Sequence, residues 1–126
     1  MPFRWIPISN SFYKGASLLF MILLFILSSI SRLPLPQVYR FQDLLFHAVA
    51  YGILYALVRK GFPRYPDLLI LAVVVFYGFT DEFHQWFVPG RVFDIRDLAA
   101  NTAGGTIIMI LMRQSAIRTA NRNPEG

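Results

Sequence analysis

The chain has 126 residues, of which 56% are hydrophobic and only 15% charged. A soluble domain carries about 25% charged residues, so the composition points to one membrane-embedded domain rather than a soluble one. The net charge of +5 would suit nucleic acid, but the bases lie between apolar runs and form no stripe or patch, so no nucleic-acid partner is expected; the absence of cysteine excludes disulfides and thiolate metal sites.

Residues 1–11 are short and mixed, with Pro2, Arg4 and Pro7. From Phe12 to Ile30 the chain is nearly all apolar. About 20 such residues cross a bilayer, so residues 12–31 are expected to be span one. A cleaved signal peptide is the rival reading, with Arg4 and Lys14 as its basic region and Ser29-Ile30-Ser31 as a small-residue exit. Nothing downstream, however, reads as a secreted soluble domain. Arg32 to Phe41 is expected to be a loop, because Leu33-Pro34-Leu35-Pro36 cannot continue a helix.

Span two is expected over 42–58, ending at Arg59-Lys60-Gly61, with Gly61, Pro63 and Pro66 marking a short turn. Span three covers 67–87, with Pro66 at a first-turn position. Val88-Pro89-Gly90-Arg91 reads as the next turn, and span four covers 94–112. The tail beyond Arg113 is polar and basic, with Asn121, Asn123 and Pro124, and is expected to fray. The expected fold is therefore all-α, a polytopic membrane protein of four transmembrane helices in one domain, 1–126.

Four spans place both termini on one side. The N-terminal segment, the loop between spans two and three, and the tail hold Arg4, Lys14, Arg59, Lys60, Arg64, Arg113, Arg118 and Arg122; the other two loops hold Arg32, Arg40, Arg91 and Arg96. Bases concentrate on the cytoplasmic side, so both termini are expected in the cytoplasm. Span two then starts, span three ends and span four starts on the outer side.

Each of those three ends is polar. Asp43 and His47 are four apart and share a helix face. Asp81 shares a face with His84 and Gln85, while Glu82 points about 100° away. Asp94, Asp97 and Asn101 form one stripe on span four. An aspartate or arginine at mid-membrane costs about 2.5–3.5 kcal/mol on insertion scales, so such groups face one another or water. The expectation is one outward-opening polar pocket walled by spans two, three and four. The apolar cores Leu44–Val58 and Leu98–Met112 would cover only about 22 Å at 1.5 Å per residue, against about 30 Å of hydrocarbon. The pocket would thus lie at head-group depth. Ala99, Ala100, Ala103, Gly104 and Gly105 give span four a smooth face that favours close helix packing. Trp86, Phe87 and Phe93 read as interfacial anchors. Tyr51, one turn below His47, is placed to donate into the pocket, and Tyr55 reads as packing.

The run DEFHQWFVPGR at 81–91, followed by Asp94, Asp97 and NTAGG at 101–105, resembles the signature of the VanZ-like membrane proteins. Asp43, His47 and Tyr51 are similar to that family's earlier D-x-x-x-H-x-x-x-Y element. The likeness covers 43 to about 105, roughly half the chain. Leu44 departs from it, since the family commonly has lysine there. The resemblance implies a small multi-pass protein of the bacterial cytoplasmic membrane with a cell-envelope role, in a family named for a member associated with low-level teicoplanin resistance. It brings no agreed reaction.

The chemistry of the residues leaves three readings open. In the first, an enzyme acts on a lipid or lipid-linked cell-wall precursor. Histidine as a residue type suits acid–base work near neutrality, which makes His47 and His84 the natural acids or bases, oriented by Asp43, Asp81 or Glu82. Asp43, Gln85, Gly90, Arg91, Asp94, Asp97 and Asn101 would bind substrate, with Arg91 gripping a phosphate or carboxylate. No Gly-x-Ser-x-Gly element or cysteine nucleophile is present. In the second, a divalent metal joins the site, with His47, His84 and Asp81 as candidate ligands and zinc, manganese or iron all suited to mixed nitrogen and oxygen donors. In the third, there is no chemistry. The pocket only binds a head group, or the cluster is a salt-bridged packing site in which Asp94 and Asp97 complement the helix N-terminus and pair with Arg91 and Arg96. Oligomeric state is not legible.

Overall fold

In the computed structural model, residues 7–30 and 41–124 are described. They form four helices: α1 (Asn10–Ser28), α2 (Gln42–Gly61), α3 (Asp67–Gln85) and α4 (Ile95–Arg122). Residues 1–6, 31–40 and 125–126, including Arg4, Arg32 and Arg40 and with them the loop expected from Arg32, lie outside the described residues.

The ends of the helices follow local chemistry. Ser9 caps α1, its Oγ accepting from the amide of Phe12 at 3.2 Å. Asp94 caps α4 by accepting from the amide of Arg96 at 2.8 Å, which satisfies one of the donors a helix start leaves open. Between α3 and α4, the amide of Arg91 donates to the carbonyl of Val88 at 3.0 Å, and Gly90 sits at φ 81°. Proline second and a positive-φ glycine third is the signature of a type II turn. Gly90 therefore serves the reversal of the chain.

The tail corrects one expectation. Instead of fraying after Arg113, α4 continues to Arg122. Extending an existing helix adds a hydrogen bond per residue without a new nucleus, the segment contains neither proline nor glycine before Pro124, and Arg118 and Arg122 suit a helix C-terminus.

Contacts at both ends show that successive helices alternate in direction. The end of α2 meets the start of α1, where Gly61 faces the backbone of Lys14. At the opposite end, the start of α2 meets the start of α4 and the end of α3. Helix α2 is central and packs on all three others, most extensively on α4. Gly104 makes that packing possible: a Cβ there would lie 1.9 Å from the carbonyl oxygen of Ala48. The small-residue face of α4 thus serves backbone-to-backbone packing against α2.

Tyr51, Leu54, Tyr55, Val58, Ile70, Val74 and Met109 form the buried apolar core. Tyr77 ties α3 to α1 by donating its hydroxyl to the carbonyl of Met21. The outward faces are apolar too: Leu18 and Leu19, Leu45 and Val49, Leu68 and Phe76, Ile107 and Leu111 are all exposed. By length and composition, one helix among the described residues, α1, is apolar enough by itself to cross a membrane. The other three carry the polar groups described next.

Candidate functional site

The polar residues of α2, α3 and α4 converge at one end of the bundle, and the end of α1 joins them. His47 is the hub. Its Nδ1 lies 2.9 Å from Oδ1 of Asn101 and 4.0 Å from Oε1 of Glu82. Its Nε2 lies 3.4 Å from Oδ2 of Asp97. Glu82 and Asn101 are both 0% exposed. Glu82 accepts from the amide of Asp94 at 3.4 Å and from Nε2 of Gln85 at 3.5 Å, both long bonds.

The 100° between consecutive helical residues sends the two adjacent acids of α3 to different neighbours. Glu82 turns toward α4. Asp81 turns toward α1 and α2, where the Tyr51 hydroxyl donates to Oδ2 at 3.4 Å and Ser28 lines the same cavity as both. Asp81 is 6% exposed, and its Oδ1 is without a hydrogen-bond partner, as is Nδ2 of Asn101. Buried polar groups left so are few in folded proteins, and each calls for an explanation.

His84 does not meet His47. It follows Asp81's side of α3 onto α1, stacking on Phe25 with ring centroids 4.5 Å apart, its Nε2 lying 3.0 Å from Oγ of Ser29. The expected grouping of both histidines around Asp81 is thus replaced by two separate arrangements. Among the described residues, the set with ligand atoms mutually within metal-binding range is His47, Glu82 and Asp97, not His47, His84 and Asp81.

Two cavities flank this hub. One, of about 260 Å³, is lined by Asp43, Gln85, Gly90, Arg91, Asp94 and Asp97 among others; it gathers every residue expected to bind substrate except Asn101, which lies behind them against His47. The other, of about 150 Å³, has an apolar mouth of Leu24, Leu27, Phe46 and Ala50 and a polar interior that includes His47, Tyr51 and Asp81. Gln85 and Arg91 line both. Arg91 is held there by α1, its Nε donating to the carbonyl of Ile30 at 3.0 Å. Arg96 turns outward and pairs with Asp94, Nη2 to Oδ2 at 2.9 Å.

Sequence reasoning missed the fourth wall. Ser28, Ser29, Leu24 and Leu27 come from α1, whose serines read only as small residues. The alternation of spans carried the signal, because the end of span one must lie on the same side as the other polar ends. Tyr51, placed below His47 by spacing, does donate into the site.

A family model described as VanZ/LLP1 matches residues 2–118. No curated protein and no solved structure matches the chain.

Proposed function

The chain belongs to the VanZ/LLP1 family, and from that premise we propose that it is a four-span protein of a bacterial cytoplasmic membrane, with both termini in the cytoplasm, whose outer-side pocket takes the head group of a cell-envelope lipid or lipid-linked precursor. The observation that carries this reading is the 150 Å³ cavity between α1, α2 and α3, apolar at its mouth and polar within. A pocket of that character suits an amphiphile: acyl or prenyl carbons against Leu24, Leu27 and Phe46, and a polar head toward Gln85 and Arg91. Arginine's fork fits phosphate and carboxylate oxygens. His47, partly exposed between two carboxylates, is the group suited to move a proton on a bound head.

The four-span reading draws support from the distribution of polarity. Large apolar side chains face outward on all four helices while Glu82, Asn101, Asp81 and Gln85 are buried. Intramembrane ionisable groups face the bundle interior in this way. A cleaved N-terminal signal fits poorly, because removing α1 would take away Ser28, Ser29 and the α1 half of the apolar mouth, Leu24 and Leu27. Tolerance of teicoplanin is the phenotype proposed for a protein that sequesters or alters such a precursor.

The test is lipid capture. Full-length protein in nanodiscs of bacterial lipid extract should enrich one envelope lipid, detected by mass spectrometry, and Arg91→Ala should lower that enrichment at least tenfold. Each tenfold corresponds to about 1.4 kcal/mol, within the range of a charged hydrogen bond. An altered lipid in the same extract would mark an enzyme; a stoichiometric unaltered one, a binding protein. No enrichment in the wild type would sink the reading. For topology, a C-terminal reporter active only outside the cytoplasm would overturn the orientation.

A further inference from the structure

We propose that His47, Glu82 and Asp97 form a binding site for a divalent first-row metal ion, zinc or manganese, at the floor of the pocket. One ligand atom from each lies within 4.8 Å of the others, and the three come from three different helices. Zinc holds nitrogen and oxygen ligands at about 2.0–2.2 Å, so atoms sharing one ion stand roughly 3–4.3 Å apart. Binding would require the side chains to draw in from their present spacing of up to 4.8 Å. One imidazole with two carboxylates suits zinc or manganese; without thiolates the site does not select copper(I).

The orientation of His47 points the same way. Oδ1 of Asn101, 2.9 Å from Nδ1, suits the tautomer in which Nδ1 donates. In that tautomer Nε2 presents a lone pair toward Oδ2 of Asp97 at 3.4 Å. Either a cation or a proton on Nε2 reconciles two acceptors at that distance, and a metal ion is the cation proposed. A metal-ligating histidine typically donates its other N–H to a carbonyl or carboxylate, fixing its tautomer, and Asn101 stands in that relation to His47. Glu82 keeps only two long hydrogen bonds, which leaves its oxygens with capacity for an ion.

A separate observation comes from the other cavity. Asp81 is buried with Oδ1 unpartnered, and it lines that cavity together with His47. A carboxylate oxygen so placed suits a water or another donor bound in that cavity, beside His47. Among the described residues, Asp43, Asp81, Glu82, Asp94 and Asp97 gather at this end of the bundle, and Arg96 pairs with Asp94. A divalent ion would add positive charge there and make an acid-rich pocket attractive to an anionic head group. The cavity lined by Asp43, Asp94 and Asp97 is the access path from solvent.

The use of the ion in holding a head group rests on the function proposed above; its binding does not. Full-length protein in detergent, stripped with chelator, is dialysed against zinc chloride or manganese chloride, and bound metal is measured by mass spectrometry with no lipid present. The expected result is one ion per chain and a raised thermal midpoint. Asn101→Ala should weaken binding about 10- to 100-fold, the usual effect of removing a partner of a ligating histidine. His47→Gln, Glu82→Gln and Asp97→Asn should weaken it more, with helix content by circular dichroism unchanged. Asp67→Asn, at the far end of the bundle, should leave it intact. Wild-type protein that retains no ion overturns the proposal, and so does equal loss on His84→Gln. Lipid capture by chelated protein separates the two ideas: capture without metal leaves the head-group reading standing and the metal's part in it refuted.

Discussion

The two ends of the bundle treat charge differently. At the end where α2 meets α3, Asp67 takes Nε of Arg59 at 2.6 Å and the Tyr55 hydroxyl at 3.5 Å. Lys14 lies over the ring of Phe62 and Lys60 over that of Tyr13, both at 5.1 Å. Acid meets base, and cations lie on aromatic faces. At the other end five acids and two partly exposed histidines gather, and among the described residues two buried polar atoms stay unpartnered. Both clusters lie at helix ends, so position alone does not separate them. Hydrogen-bond satisfaction among the described residues does: a cluster built for packing satisfies its own buried polar atoms, whereas here Oδ1 of Asp81 and Nδ2 of Asn101 are left over.

The sharpest way to break this contrast is to disturb the helix contact beneath the site. Gly104→Val would drive a Cβ into the carbonyl of Ala48, backbone that cannot rotate away. The expected cost is about 3 kcal/mol or more, at the top of the overpacking range, read as loss of a cooperative thermal transition in detergent. Gly61→Ala, whose Cβ would stand 3.1 Å from the backbone of Lys14, should cost about 1 kcal/mol.

A pair of isosteric changes tests this difference directly. Asp67→Asn removes the partner of Arg59 and should destabilise by about 1 kcal/mol, as expected for a partly exposed pair. Asp81→Asn removes an acid from a crowded, buried place, keeps an oxygen for the Tyr51 hydroxyl, and should stabilise by about 1 kcal/mol while lipid capture falls. Stability gained at the expense of function is the usual trade at active sites. If both variants shift the thermal midpoint in the same direction, the contrast between the ends is wrong. The smallest effect belongs to Arg96→Ala. Its pair with Asp94 lies at the surface, with the arginine side chain 75% exposed, and such pairs contribute little; no shift in midpoint should be resolved.

Much of this arrangement was legible in the sequence. The spacings Asp43/His47 and Asp94/Asp97/Asn101 placed those residues on single helix faces, and the alternation of spans put the three polar ends together. The prolines and glycines marked the breaks, including the turn at 88–91, whose type only the structure gave. The length of α4 was not, because hydropathy ends at Met112 while backbone hydrogen bonding does not.

Helical periodicity determines which residues share a face of their own helix, and that much the chain decides locally. It does not determine which neighbour the face meets. That depends on how each helix is rotated, which here follows from the approach of α2 to α4 at Gly104 and Ala48 and from the seating of α1 against Tyr77. Tertiary packing therefore decided that Glu82 and Asp81, adjacent in sequence, serve opposite halves of the site, and that His84 belongs with Phe25 and Ser29. It also decided that Glu82, rather than Asp81 or His84, completes the set with His47 and Asp97.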